Sequence, residues 1–267
     1  MTCACNRDVT LTELGKIFRD QKKKTVEKFV SDLNKTMADH GITACIQKSH
    51  FLSQVGHESG QLTYVAEVLE KGVKEKDVYD GYKGRGLIQI TYKINYETYG
   101  KYVSHDFTGD HKVDLESIRW AADSAGWYWS VMQSPDLNQY ADKNDLIYIS
   151  QAINGAFNGY NDRKMLLARA ATALLLDRCP NQTKCWDMDD FSLRDSEAYN
   201  VAAAAFAWGL WHDPDSTKSG TGKSNDESLI GYKRFLDLKD KQKKGRFGFK
   251  TSDKMIEHAE KRIKDLE

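Results

Sequence analysis

The sequence predicts a mainly α-helical protein with at most a small β element near residues 82–92. Three observations carry this reading. Apolar residues recur at helical spacing, as at Val26, Phe29, Val30, Leu33 and Met37. Only 3 prolines occur in 267 residues, about a fifth of average usage. The β-like stretch is Leu87 to Thr91 (LIQIT), which follows a glycine-rich turn, Gly81 to Gly86 (GYKGRG).

Thr10 to Glu13 has the form of a capping box and opens a first short helix. The second helix holds the periodic run above and ends at Gly41. Thr43 is the expected cap of a third, running through Ile46, Phe51, Leu52 and Val55 to His57, where Gly60 interrupts. Residues 61–81 show little periodicity. Further helices are expected over 95–102, 114–129, 146–153, 162–178 and 192–210. Residues 213–227 are polar and turn-rich and read as a mobile loop. Two helices, 228–243 and 252–266, close the chain, with Ser252 as cap of the last.

At 40% hydrophobic and 29% charged, the chain is globular rather than disordered. Its longest apolar run, Val201 to Trp211, is far short of the roughly 18 residues of a membrane span, so no transmembrane segment is expected. The 39 basic and 39 acidic groups balance, which argues against a nucleic-acid partner. The balance is uneven along the chain. Residues 1–50 carry +3, residues 51–217 carry −8 and residues 218–267 carry +5. Solvated helix faces give such numbers, and so does a protein whose basic ends hold an anionic partner.

The five cysteines are Cys3, Cys5, Cys45, Cys179 and Cys185. Their spacing matches no zinc motif. Cys179 and Cys185 bracket a short loop and read as a local disulfide or as two thiols. The start, MTCACNRDVT, has no apolar core of a signal peptide.

Glu58 ends an amphipathic helix after a largely apolar stretch. Desolvation there would raise its pKa and keep it protonated, as a general acid requires. Glu67 lies nine residues on, on the opposite face of any unbroken helix. The two share a cleft only if the chain turns, and Gly60 supplies the place. Two carboxyls across a cleft are the apparatus of glycoside hydrolysis. Glu70 and Glu75 are nearly as eligible on position alone. His57-Glu58 is not a zinc helix, because Gln61 stands where H-E-x-x-H has its second histidine. The GYKGRG turn lacks the Gly-Lys-Ser/Thr ending of a phosphate loop.

In this order, the pieces resemble glycoside hydrolase family 19, the chitinases and phage endolysins. The resemblance rests on His50 to Gly60 (HFLSQVGHESG), Tyr64 to Glu67 (YVAE), and Tyr82 to Thr91 (YKGRGLIQIT) with Asn95-Tyr96. It continues in Ser124 to Trp129 (SAGWYW), Ile153 to Gly155, Asn158-Gly159 and Asn161 to Arg163 (NDR), and covers about residues 8–178.

It implies a lysozyme-like two-lobed helical fold and an inverting mechanism, with Glu58 as general acid and Glu67 as general base. Thr91 would help to hold the attacking water, and Gln89, Asn95 and Asn154 would bind the sugar chain. Arg163 would support the site electrostatically. Tyr64, Tyr82 and Trp127 could stack on sugars, although core packing suits Trp127 and Trp129 better. Arg85 fits a tie between the turn and a neighbouring carboxylate better than a substrate contact.

The family's Glu-Glu pair is Ala66-Glu67 here, which leaves Glu70 as a fallback base. Only 16 residues separate Glu67 from Gly84, favouring the compact endolysin-like branch.

The expectation is a catalytic core over residues 1–180 and a helical extension over 181–267 packed on the same domain. The expected activity is that of a lysozyme or muramidase, cleaving the β-1,4 bond between N-acetylmuramic acid and N-acetylglucosamine in peptidoglycan glycan strands, with no metal or organic cofactor. The alternatives are a chitinase on the same scaffold or a non-catalytic glycan-binding protein. The expected setting is the periplasm or wall of a target bacterium, reached by a secretion system or by phage lysis. As an antibacterial effector it would have a cognate immunity protein. The chain is expected to be a monomer.

Overall fold

The structure is a computed structural model that describes residues 2–180, Met188 and 191–267. Cys185 lies outside these residues, so the expected Cys179–Cys185 pairing does too. Among the described residues the regular structure is helical, and the β element reduces to two isolated antiparallel bridges, Ala66 with Arg85 and Arg85 with Ile90. The reason is local. Gly86 (φ 80°) and Gln89 (φ 57°) turn the chain back on itself, so each arm pairs only once.

The chain forms two compact units. Unit 1 comprises Met1–Asp142 and Met165–Trp186, and unit 2 comprises Lys143–Lys164 and Asp187–Glu267.

In unit 1, α1 (Leu11–Ile17) opens on the expected capping box. The Glu13 N–H donates to Thr10 Oγ1 at 3.2 Å, and the Thr10 N–H to Glu13 Oε2 at 2.8 Å. α2 (Lys23–Asp39) buries Val26, Phe29, Leu33 and Met37 and packs against α5 (Ile118–Trp127). Gly126 makes that approach possible, because a Cβ there would come within 2.3 Å of the His40 ring. α3 (Cys45–Glu58) is buried on nearly every side.

Thr43 does not cap α3; Ala44 holds that position. The Gln47 side chain reaches back to accept from the N–H groups of Thr43 and Ala44, each at 3.0 Å. The single helix expected over 114–129 is broken. A 3-10 run (Gly109–Glu116) stops at Ser117, whose ψ of 146° is extended, and α5 starts after it. α4 (Lys93–Val103) and the short α6 (Asn138–Ala141) complete the α-helices up to residue 142.

In unit 2, Asp145 caps α7 (Leu146–Asn154) by accepting from the Tyr148 N–H at 2.9 Å. It also accepts from Ser196 Oγ at 2.7 Å and the Glu197 N–H at 2.8 Å. Burial pushes its carboxyl pKa up despite these three bonds, which favour the charge. α8 (Tyr160–Ala173) carries the boundary between the units. It is shorter than expected, because Leu175 turns left-handed (φ 57°) and only a 3-10 turn, Leu176–Arg178, follows.

The helix expected over 192–210 also begins late. Ser192 and Ser196 each cap a short 3-10 turn, and α9 runs only over Ala202–His212. It packs on α10 (Asn225–Asp237) with backbones almost touching. A Cβ on Gly231 would lie 2.3 Å from the Gly209 nitrogen.

Ser224 caps α10, so the loop read as mobile ends there. Lys223 cross-ties it by donating to the carbonyls of Trp211, Ser216 and Lys218. Thr251, not Ser252, caps α11 (Ser252–Leu266). Arg262 on α11 makes a two-point pair with buried Asp213 at 2.7 and 2.8 Å. No helix among the described residues is long and apolar enough to cross a membrane.

Candidate active site

Glu58 is the last residue of α3 and is half-buried. The chain then leaves the helix through three consecutive left-handed residues, Gly60 (φ 55°), Gln61 (φ 55°) and Leu62 (φ 68°). That conformation is strained for Gln61 and Leu62. Local hydrogen bonds hold it: Gln61 N–H to the Gly56 carbonyl at 2.6 Å, Leu62 N–H to Ser59 Oγ at 2.8 Å, and Tyr64 N–H to the Ser59 carbonyl at 2.8 Å. Glu58 and Glu67 therefore do not share one helix.

Residues 65–67 run extended beside 84–86. The Gly86 N–H donates to the Val65 carbonyl at 2.9 Å and the Glu67 N–H to the Gly84 carbonyl at 2.8 Å. The Glu67 side chain turns back so that Oε2 accepts from the Gly84 N–H at 3.0 Å. Lys83 Nζ donates to the Glu67 carbonyl at 2.9 Å.

Gln89 and Thr91 crowd the other side of Gly84. A Cβ there would meet Gln89 Oε1 at 2.9 Å and Thr91 Oγ1 at 3.5 Å. Thr91 Oγ1 donates to the Gln89 carbonyl at 3.0 Å, and Asn95 Nδ2 donates to the Thr91 carbonyl at 2.7 Å. Glu67, Gln89, Thr91 and Asn95 thus gather at one corner. Gln89 Nε2 and Asn95 Nδ2 each donate to one backbone carbonyl, and an amide nitrogen carries a second N–H.

Beneath this corner lies Arg85, its side chain 1% exposed. It donates to both oxygens of Glu75 at 3.0 Å, to Glu116 at 2.7 Å and to the Tyr96 hydroxyl at 3.1 Å. Burial opposes its charge, but Tyr96, Glu116 and Glu75 outweigh this and raise its pKa. Burial likewise raises Glu75, while Lys112 and Arg85 hold it below its ordinary value overall. Arg85 is the structural tie that its position suggested, and Glu75 is its partner. Glu70 is exposed.

Tyr64 is 50% exposed, as a sugar platform must be. Tyr82 is not available for that role, because it is buried edge-on against Tyr96 at 5.1 Å. Trp127 and Trp129 are core residues, as expected. Two other exposed tyrosines escaped the sequence reading, Tyr79 and Tyr92, whose rings meet edge-on at 5.2 Å. The signal for Tyr92 was its place directly after Thr91. Tyr128 also went unnoticed between two core tryptophans. Burial pushes its phenol pKa up, and the charge of Glu58 adds to the effect.

The remaining sequence-predicted residues belong to unit 2. Asn154 ends α7, and its Oδ1 accepts from the N–H and Nδ2 of Asn158 at 3.3 and 3.1 Å. Arg163 is buried in the first turn of α8.

No protein-family model matches the chain. Among curated proteins, it is 30% identical over 121 residues to an endochitinase of Arabidopsis thaliana, covering 43% of each chain. It is 32% identical over 82 residues to a glycosyl hydrolase family 19 domain-containing protein of Haemophilus influenzae, covering 31% of this chain and 37% of that protein. Over this stretch the chain is similar to a protein named for glycoside hydrolase family 19. It spans less than half the length of these two relatives. Its fold resembles that of chitinase C from Streptomyces griseus HUT6037, with a TM-score of 0.51 and 22% identity. That match covers 65% of this chain and 79% of that one.

Proposed function

We propose that the chain is an inverting glycoside hydrolase of β-1,4-linked N-acetylated hexosamine polymers, with peptidoglycan as its substrate. The observation that carries this is the corner at Gly84. The backbone N–H of Gly84, the glycine that Gln89 and Thr91 crowd from its other side, holds the Glu67 carboxylate, and a left-handed turn separates it from Glu58. Glu58 donates its proton to the glycosidic oxygen as the bond breaks. Glu67 takes a proton from a water that attacks the anomeric carbon from the opposite face, and the Thr91 hydroxyl steadies that water. Gln89, Asn95 and Tyr64 grip the sugars.

Two features favour peptidoglycan. The segment between Glu67 and Gly84 is short, at 16 residues, and residues 218–267 carry a net +5 suited to an anionic wall. A second reading, chitin, is favoured by the relatives that are named endochitinases. Digestion of purified peptidoglycan and of chitin oligomers, with mass analysis of the products, separates them. New reducing ends at muramic acid support the first reading, and cleavage of chitin alone supports the second. Binding without hydrolysis of either would overturn both.

An antibacterial setting with a cognate immunity protein belongs to the same proposal. Expression directed to the bacterial periplasm should lyse cells, and co-expression of the neighbouring gene's product should protect them.

A further inference from the structure

Four cysteines remote in sequence meet in unit 1. The sulfurs of Cys3, Cys5, Cys45 and Cys179 all lie within 4.8 Å of one another. Cys5 Sγ is 3.0 Å from Cys45 Sγ and 2.7 Å from Cys179 Sγ. Cys5 thus meets two other sulfurs at once, whereas two disulfides would sort the four sulfurs into two pairs. Zn–S bonds of about 2.3 Å give a tetrahedron with edges of about 3.8 Å, the scale of this cluster.

The surroundings suit a cation held by thiolates. Cys45 is buried, and burial together with its sulfur neighbours pushes its thiol pKa up. A cation among the sulfurs reverses that preference and deprotonates them. The Cys45 N–H already donates to Cys5 Sγ at 3.2 Å. Lys48, a buried lysine one turn along α3, donates to the carbonyls of Ala4 at 2.9 Å and Arg7 at 2.6 Å, in the loop that carries Cys3 and Cys5. Arg7 donates to the Cys3 carbonyl at 3.0 Å and shares its charge with Glu13. Burial lowers the Lys48 pKa, and negative charge on Cys45 and Cys5 works against that fall.

We propose that Cys3, Cys5, Cys45 and Cys179 bind one Zn²⁺ as a closed tetrathiolate structural site. Four S–H bonds give way to four Zn–S bonds, four protons leave to solvent, and nothing is oxidised or reduced. The bound site carries two net negative charges, which Lys48 and Arg7 face. With four protein ligands no coordination position is left for substrate, so the ion acts on structure. It fastens residues 3–5 and Cys179 to Cys45, the first residue of the helix whose last residue is Glu58. No zinc motif was legible because the ligands come from one C-x-C pair and two distant single cysteines.

The test is metal analysis of the full chain purified without chelator, by elemental and native mass spectrometry. One zinc per chain is expected. Co²⁺ exchanged into the site should show the absorption of a tetrahedral thiolate centre. Cys5→Ser and Cys3→Ser should each lose zinc. Should both fail to fold, chelation of the wild-type chain serves instead: it should lower the melting temperature, and Zn²⁺ should restore it. A chain with two mapped disulfides, four alkylatable thiols and no metal, or iron in place of zinc, would overturn the proposal.

Discussion

The backbone N–H of Gly84 donates to the carboxylate of Glu67 at 3.0 Å, while the other side of Gly84 faces Gln89 and Thr91. A methyl group at residue 84 would push on Gln89 Oε1 from 2.9 Å and on Gln89 Cβ from 3.2 Å. Gly84→Ala should therefore cost about 1–3 kcal/mol of stability. It should lower kcat by about 10–100-fold, because a small misplacement of reacting groups is amplified in rate. Thermal melting and steady-state kinetics on the same preparation measure both.

Glu58→Gln and Glu67→Gln remove the two proton-transfer groups while keeping side-chain shape. Each should lower kcat by about 10²–10⁴-fold and leave the circular dichroism spectrum unchanged. Full activity in a folded Glu58→Gln variant would take Glu58 out of the acid role. The same result for Glu67→Gln would return Glu70 to consideration.

Arg85→Met removes a buried cation from Glu75, Glu116 and Tyr96. Losing one partner of a buried ion pair costs about 3–5 kcal/mol, and the partial exposure of both carboxylates places this case near the lower end. Arg85→Lys should recover little, because an ammonium cannot span the two carboxylates and the phenol with a planar fork. Urea denaturation of the three proteins gives the ranking.

His212 provides a pH test in unit 2. It is buried with Nδ1 2.9 Å from the Trp208 carbonyl, and burial lowers its pKa to about 4. Unfolded, it titrates near 6.5 and so binds more protons than the native form between these values. Its contribution is complete above about pH 6.5 and is lost as pH falls through about 4, in total about 3 kcal/mol. Burial depresses His258 as well, which adds loss in the same direction. The melting temperature should fall from pH 7 to pH 4, and His212→Gln should flatten that slope.

The legible parts of this molecule are those decided by near neighbours in sequence. The Thr10–Glu13 capping box, the end of α2 and the turn after Glu58 all rest on contacts within a few residues. Helix ends set from a distance were misplaced. Ser196 stops the helix expected over 192–210 by capping a 3-10 turn while bonded to Asp145, 51 residues away. In the site, the motif order marked the Gly84 corner. The motifs did not reveal that Tyr82 turns inward, because its exposure depends on Tyr96 packing across it. The cysteine cluster was invisible for the same reason, since proximity across 174 residues leaves no trace in spacing.

Residues 65–67 and 84–86 grip each other through main-chain bonds, so the 16 residues between them form a loop closed at its base. Closing a loop costs more only with the logarithm of its length, about 0.6 kcal/mol for each doubling. Insertions here can lengthen the rim without disturbing the two ends that hold Glu67. Under the proposed function, the number of sugars such a scaffold spans can therefore diverge between descendants while its reaction chemistry is inherited intact.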